Sequence, residues 1–526
     1  MPNDERGISG GMNAADSLLQ VSRELGLAEQ PAILTQAETI TYGTLDLKAS
    51  QYGQALRKLG VGSQDRVLLL IDDRSEMFYA YLGAMKIGAV PVALNLRVSV
   101  NELGFIVSDS ACKVVVAEAE YLELCRAACA KASTSPAIVE TAASTSEFVC
   151  LDTLAAAETG ELDSVLLAPD DMALWMYTSG TTGTSKGAVH LVRSMDGLGR
   201  YLGPVYGVGP GDRVFCSSKL FFAFSLGHIL LATLRLGATA VLHTGWPSPD
   251  AIAETVEQFH PDLVFSVPTM YRGLLAEGLA QTVGFKSVRH FISAGEHLPE
   301  RVFDEWRAVT GQPILSGIGA TETLVMFIAN RPDRVYRGVT GTPLPETDVR
   351  LVSHDGQDID EPGLPGVLWV RSASLAAGYW KQKEMTEAVF RDGWYCTGDV
   401  FIRDADGHYY YQGRDDDMLK ISGQWVSPAE IDEYVLLNSK VAEAATVGIK
   451  NEQGLVRLAL CLVPERPDVD REILQAEITE CLTDNLSVYK CPRRFVYLDE
   501  MPKTATGKIQ RFKLRQYAAD QIGQLL

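Results

Sequence analysis

The chain has 526 residues, 46% of them apolar and 22% charged, with a formal net charge of -20. That length exceeds one ordinary core and predicts two or more domains of a globular enzyme. The acidic balance excludes a nucleic-acid binder, which needs clustered Lys and Arg, but leaves small anionic ligands open because they need only a local positive site.

Residues 1–12 are polar and glycine-containing and are expected to fray. The first thirty residues include Asp4, Glu5, Asp16, Glu24 and Glu29 and have no apolar stretch of signal-peptide type. The longest apolar candidate, FFAFSLGHILLATLRLGATAVL, is broken by His228 and Arg235, so no membrane span and no membrane partner are expected. The nine cysteines are scattered without a CxxC, which fits a reducing, cytoplasmic setting; Cys125 and Cys129 read as one helix face.

From there short apolar runs alternate with helical patterns. RVLLLI (66–71) reads as a buried strand, followed by SEMFYAYLGAMKIGA, in which Met77, Tyr81 and Met85 recur on one helix face. KVVVAE, TAVLH, DLVFSVP and HFISAGE are further strands separated by helix-length segments, which predicts an α/β fold with largely parallel sheets. After about residue 345, DVRLVS, GVLWVRS and HYYYQGR, separated by Gly-, Pro- and Asp-rich turns, predict a β-rich subdomain. A hinge follows in GRDDDMLKISGQWVSPAEIDEYV, with a helix start at Ser427-Pro428. The division is therefore a large N-terminal domain, 1–415, of βα-layered sheets plus the β-rich subdomain, hinged to a small α+β domain, 416–526.

The stretch MYTSGTTGTSKGAVH (176–190) packs hydroxyls and glycines against one lysine. It is not a Walker loop: the fifth residue after Gly180 is Ser185 where glycine is required, and Lys186 precedes Gly187. Backbone N–H groups freed by glycine, hydroxyl donors and a terminal Lys nonetheless suit an anion of phosphate type.

This stretch resembles the signature loop of the adenylate-forming superfamily, which contains acyl- and aryl-CoA synthetases, luciferases and peptide-synthetase adenylation domains. GIGATET (317–323), YCTGD (395–399), GRDDDMLKISG (413–423) and PKTATGKIQR (502–511) follow in that superfamily's order and cover nearly the whole chain. SKLFFAFSLGH (218–228), WPSPD (246–250), SAGEHLP (293–299) and FIANRPDRVYRGVTGTPLP (327–345) resemble in particular the benzoate- and aminobenzoate-CoA ligases.

The resemblance implies roles residue by residue. Thr178, Ser179, Gly180, Thr181, Thr182, Gly183 and Lys186 would hold the outer phosphates of ATP. Thr321 would donate to the α-phosphate and Glu322 would ligate Mg²⁺, which usually takes one or two protein carboxylates plus phosphate oxygens. Asp399 and Arg414 would hold the ribose. Ser316, Gly317, Ile318 and Gly319 would line the adenine site, although the family often carries an acid where Ser316 stands. Lys508 would bridge the attacking carboxylate and the α-phosphate. Asp416 would be the hinge, and Gly423 would line the passage of coenzyme A's pantetheine arm once the small domain has rotated. The acyl slot would be walled by Phe222, Ala223, Phe224, Gly227, Ser293, Ala294, Gly295, Gly319, Val325 and Met326, where benzoate-type ligases often carry His in place of Val325. His228 would meet a ring substituent or serve as a satisfied structural histidine.

The implied reaction joins a small aromatic carboxylic acid, of benzoate or 2-aminobenzoate type, to CoA through an aryl-AMP intermediate, with ATP and Mg²⁺. Transfer to a carrier protein is the alternative acceptor. A non-catalytic paralogue would show eroded chemical positions, yet Thr321, Glu322, Asp399, Arg414 and Lys508 are all present. The ring substituent, the pathway and the oligomeric state stay open.

Overall fold

A computed structural model describes residues 11–142, 147–179, 185–421, 424–450, 456–503 and 509–523. Among these residues the strands form two large sheets, one β-rich sheet and a small C-terminal set. The nine-stranded sheet has a parallel centre built from Pro31–Leu34, Thr239–Val241, Arg213–Cys216, Leu263–Ser266, His290–Ser293 and Ile314–Gly319. Antiparallel strands close both of its ends. The eight-stranded sheet is parallel around Arg66–Leu70 and ends in the antiparallel strands Ser185–Leu191 and Gly378–Tyr379.

Parallel strands buried on both faces need apolar side chains at consecutive positions, which is what RVLLLI and DLVFSVP supply. The main core spans both sheets. Helix Ser75–Lys86 lies inside it and is buried at every position but Glu76, not only along the Met77/Tyr81/Met85 face expected from periodicity. A helix apolar all round belongs in an interior. The other large difference is at the start of the chain. Met12 is not frayed: its N–H and carbonyl both pair with Leu167, at 3.0 and 2.9 Å.

The β-rich sheet contains Thr347–Val352, Pro365–Ser372, Trp394–Arg403 and Tyr409–Arg414. Beyond it, a three-stranded sheet of Val441–Lys450, Val456–Pro464 and Arg494–Tyr497 packs with helices Pro428–Leu436, Arg471–Asn485 and Arg511–Gly523 over its own apolar clusters. No helix among the described residues is long and apolar enough to cross a membrane.

Candidate active site

In open α/β sheets, ligands gather beyond the carboxyl ends of the strands. Lys186, Glu322 and Arg414, which come from three different sheets or their connecting turns, are close enough to influence one another. Strands Met172–Ser179 and Ser185–Leu191 pair antiparallel, setting Thr178 opposite Lys186. The Lys186 ammonium lies 3.9 Å from the ring centroid of Tyr379. Burial lowers the Lys186 pKa, while the nearby Glu322 acts in the opposite direction.

Glu322 follows strand Ile314–Gly319 and is 6% exposed. Its Oε1 accepts the Tyr379 hydroxyl at 2.5 Å. Tyr395, from strand Trp394–Arg403, lies close enough to feel the same carboxylate, and burial followed by the Glu322 charge keeps its phenol protonated. Glu322 is thus a nearly buried carboxylate held by the Tyr379 phenol, with Tyr395 nearby, and facing one lysine. Such a group suits a divalent cation that completes its shell with phosphate oxygens, so the residues present fit Mg²⁺.

Asp399 and Arg414 are direct cross-strand partners. Arg414 Nη1 donates to the Thr397 carbonyl at 2.8 Å and lies 3.3 Å from Asp399 Oδ1. Burial works against the Arg414 charge, but Asp399 and Asp416 outweigh it and hold the guanidinium ionised. Gly398, at φ +72°, leaves room for this guanidinium: a Cβ there would come within 2.7 Å of Nη2. Asp416 lies in the short turn Asp415–Asp417 that leaves the β-rich sheet, 3.6 Å from Arg414 Nε.

Phe222, Ala223 and Phe224 pack against the main core and lead into a π-helical segment, Leu226–Ala232. Single π turns recur at functional sites. Here the segment brings Gly227 so close to the Thr321–Val325 turn that a Cβ would fall 2.0 Å from the Leu324 carbonyl oxygen. His228 is fully buried and lowered to about pH 4 by burial, so its ring is neutral. Nδ1 lies 2.6 Å from the Phe224 carbonyl and Nε2 lies 2.5 Å from the Tyr201 hydroxyl. With Nδ1–H donating and Nε2 accepting, both ring nitrogens are engaged. Val325 and Met326 are nearly buried beside this network. Gly317 and Gly319 admit strand Met326–Ala329 at close range, since a Cβ would lie 2.7 Å from Met326 Sδ and 2.8 Å from the Val325 carbonyl, respectively.

Two expected positions, Ser293 in the slot and Ser316 in the adenine site, read differently in three dimensions. Side chains alternate along a strand. Ile292 and Ala294 belong to the main core with Phe224, whereas Phe291 belongs to the second cluster, against Tyr271 and Trp306. Ser293 shares the Phe291 face, so its side chain turns away from the Phe224 wall; its backbone alone leads to Ala294 and to Gly295, at φ +89°. The Ser316 hydroxyl is engaged too, donating to the Val339 carbonyl at 2.7 Å and accepting from Asn330 Nδ2 at 2.9 Å. Gly180, Thr181, Thr182, Gly183, Gly423 and Lys508 lie outside the described residues.

Several residues at the site were not found by sequence reasoning. Tyr379 and Tyr395 are two. A third group is the buried cluster of Lys219, Asp72 and Asp73. Lys219 Nζ contacts Asp72, lies 3.5 Å from Asp73, and donates at 2.9 Å to the His243 and Gly245 carbonyls. Asp73 Oδ1 accepts the Leu220 N–H at 3.0 Å. Burial pushes the Asp73 carboxyl up to about 7, against the pull of Lys219. The cluster clamps the segment that opens the Phe222–Phe224 wall. Breaking a buried pair from one side leaves uncompensated charge, so Lys219→Met is expected to lower the unfolding midpoint and raise the KM of the acid about tenfold, with the KM of ATP within about twofold. Thermal unfolding and initial-rate kinetics check this; equal changes in both KM values contradict it.

With this geometry in hand, comparison with known proteins places the chain in a family. Residues 25–380 match the AMP-binding enzymes and residues 430–508 match the C-terminal domain of AMP-binding enzymes. The chain belongs to the AMP-binding enzymes, the adenylate-forming superfamily. It is 44% identical over 516 residues to a 3-hydroxybenzoate–CoA ligase of Aromatoleum sp. (strain CIB), covering 98% of this chain and 99% of that one. It is 43% identical to a 3-hydroxybenzoate–CoA/4-hydroxybenzoate–CoA ligase of Thauera aromatica, covering 96% and 97%. Among solved structures, an anthranilate CoA ligase in complex with anthranoyl-AMP matches with a TM-score of 0.91 at 31% identity, covering 98% of both chains.

Proposed function

We propose that the protein is an AMP-forming aryl-CoA ligase acting on a benzoate-class acid, with 3-hydroxybenzoate first among the candidates. The observation that carries this reading is the near-complete, 44% identical match to a 3-hydroxybenzoate–CoA ligase. The site supports a benzoate-class acid: aromatic and small residues wall the slot, and both His228 nitrogens are already engaged, so His228 is a structural residue there. The match shifts the expected acid from benzoate or 2-aminobenzoate toward a hydroxybenzoate.

In the proposed reaction a carboxylate oxygen attacks the α-phosphorus of ATP, and pyrophosphate leaves. The CoA thiolate then attacks the carbonyl carbon of aryl-AMP, and AMP leaves. Lys186 and the hydroxyls around it hold the outer phosphates as a leaving group. Asp399 accepts from the ribose while Arg414 fixes that carboxylate. Thr321 donates to the α-phosphate. Mg²⁺, held by Glu322, would neutralise phosphate charge. Lys508 would supply the cation between the two anions that must meet. Residues 1–415 bind ATP and acid, and residues 416–526 rotate about Asp416 to exchange Lys508 for the thiol passage near Gly423.

The test is a pyrophosphate-release screen with CoA present. It covers 3- and 4-hydroxybenzoate, benzoate, 2-aminobenzoate, cinnamate and a medium-chain fatty acid. The highest kcat/KM is expected for 3-hydroxybenzoate, at least about tenfold above 2-aminobenzoate, since one wrongly placed polar group in a fitted slot costs on the order of 1–3 kcal/mol. A preference for the fatty acid overturns the slot. Adenylate formation without CoA thioester points instead to a carrier protein as acceptor.

A further inference from the structure

The turn between strands Ile314–Gly319 and Met326–Ala329 carries both Thr321 and Glu322. It is pinned carbonyl by carbonyl. The Ala320 carbonyl accepts the Thr323 N–H at 3.1 Å, and the Ala320 N–H donates to the Thr323 hydroxyl at 3.1 Å. The Glu322 carbonyl accepts the Ala376 N–H at 2.8 Å. The Leu324 carbonyl lies over Gly227, and the Val325 carbonyl accepts the Thr323 hydroxyl at 2.8 Å. Leu324 itself is held at φ +61°, a left-handed conformation that a leucine adopts only when its surroundings demand it.

The Thr321 carbonyl accepts the Leu324 N–H at 3.4 Å and has a second, shorter support of a different kind. It lies 3.0 Å from His190 Nε2, on a residue 131 positions earlier in the chain. Among the described residues that hold the turn's carbonyls, His190 is the side chain from outside the turn. It is fully buried. It stands on strand Ser185–Leu191 four residues after Lys186, and alternation puts the two on the same face of that strand. One short strand therefore presents Lys186 toward Glu322 and an imidazole beneath Thr321. Burial lowers His190 to about pH 4, so the ring is neutral with one N–H. The carbonyl takes that N–H on Nε2. Nδ1 is enclosed near the Ser374 backbone without a hydrogen bond.

We propose that His190 is a positioning residue for the adenylation step: its Nε2–H fixes the Thr321 carbonyl, and through it the aim of the Thr321 and Glu322 side chains at the α-phosphate and its cation. The proposal rests on the adenylating reading of the site. Both side chains branch from the peptide units flanking that carbonyl, so a rotation there moves both together. Electrostatic stabilisation needs donors already in place, and small displacements are costly. The same strand borders the phosphate-type stretch, so the outer-phosphate lysine and the metal carboxylate are registered to each other through His190.

The test compares His190→Leu with His190→Gln, whose amide N–H reaches the position of Nε2. Four readouts are needed: pyrophosphate release, the Mg²⁺ concentration for half-maximal release, thioester formation from supplied aryl-AMP, and MgATP binding without acid. His190→Leu is expected to slow pyrophosphate release about 10–100-fold and raise the Mg²⁺ requirement at least about threefold, with the thioester step within about threefold. His190→Gln is expected to recover most of the loss. Equal loss in both half-reactions, or His190→Gln as impaired as His190→Leu, overturns the proposal. Should His190→Leu not fold, His190→Asn takes its place; its amide reaches the position of Nδ1, so it must be worse than His190→Gln. Should the wild type release no pyrophosphate with any aryl acid, the aryl reading fails. Weaker MgATP binding in the leucine variant still supports His190 in that case, and unchanged binding overturns it.

Discussion

Lys508→Ala is expected to cut pyrophosphate release by at least about 10³-fold, while thioester formation from supplied aryl-AMP stays within about threefold. A carboxylate and the α-phosphate repel as they close. At 4 Å two unit charges differ by about 4 kcal/mol from separation at an effective dielectric of 20. A cation between them reverses the sign of that interaction. A factor of 10³ corresponds to about 4 kcal/mol, so one ammonium is of the right size for the whole effect. The thioester step has no such encounter, because the acyl group is already activated and the adenylate is the leaving group. Separate assays of the two half-reactions decide the matter. Equal losses would remove Lys508 from the position between the anions.

The second large effect is expected at Glu322. Glu322→Gln keeps the volume and an oxygen that Tyr379 can donate to, so the fold should survive. It removes the charge that a cation needs. Pyrophosphate release is expected to fall about 10²–10³-fold and the Mg²⁺ titration to move to higher concentration. The supplied-adenylate half-reaction, which no longer carries pyrophosphate, should lose much less. Chelation of Mg²⁺ in the wild type should reproduce the first loss. A variant slowed equally at all Mg²⁺ concentrations would assign Glu322 to shape and not to metal binding.

The residues named from motifs divide by how their chemistry depends on neighbours. Lys186, Glu322, Asp399 and Arg414 stand in short runs whose glycines and hydroxyls already announce a ligand, and the structure gathers them from separate strands into one place. Tyr379 and Tyr201 carry no such local mark, and Tyr395 and Lys219, although inside quoted runs, have nothing there that names their partners. Tyr379 meets Glu322 across 57 positions and His190 meets Thr321 across 131, and nothing in the spacing of either pair signals the contact. The resemblance of SAGEHLP places Ser293 among the expected slot residues. The strand's two-residue alternation turns its hydroxyl to the other face, and only the packing of Phe291 and Ile292 into different clusters tells which face is which.

Met12 makes the same point at the start of the chain. A polar, glycine-containing segment has no local reason to be ordered, and its pairing with Leu167 supplies one from a distance. The amino-acid sequence by itself determined the α/β class, which follows from periodicity, and the order of the motifs that carry the family resemblance, which is read from residues standing in short local runs. The tertiary structure alone decided how the Thr321–Glu322 turn is held, why His228 has no nitrogen to spare, and which ions clamp the acyl wall. Those depend on hydrogen bonds and charge pairs between distant segments, whose energies exist only once burial has removed competing water.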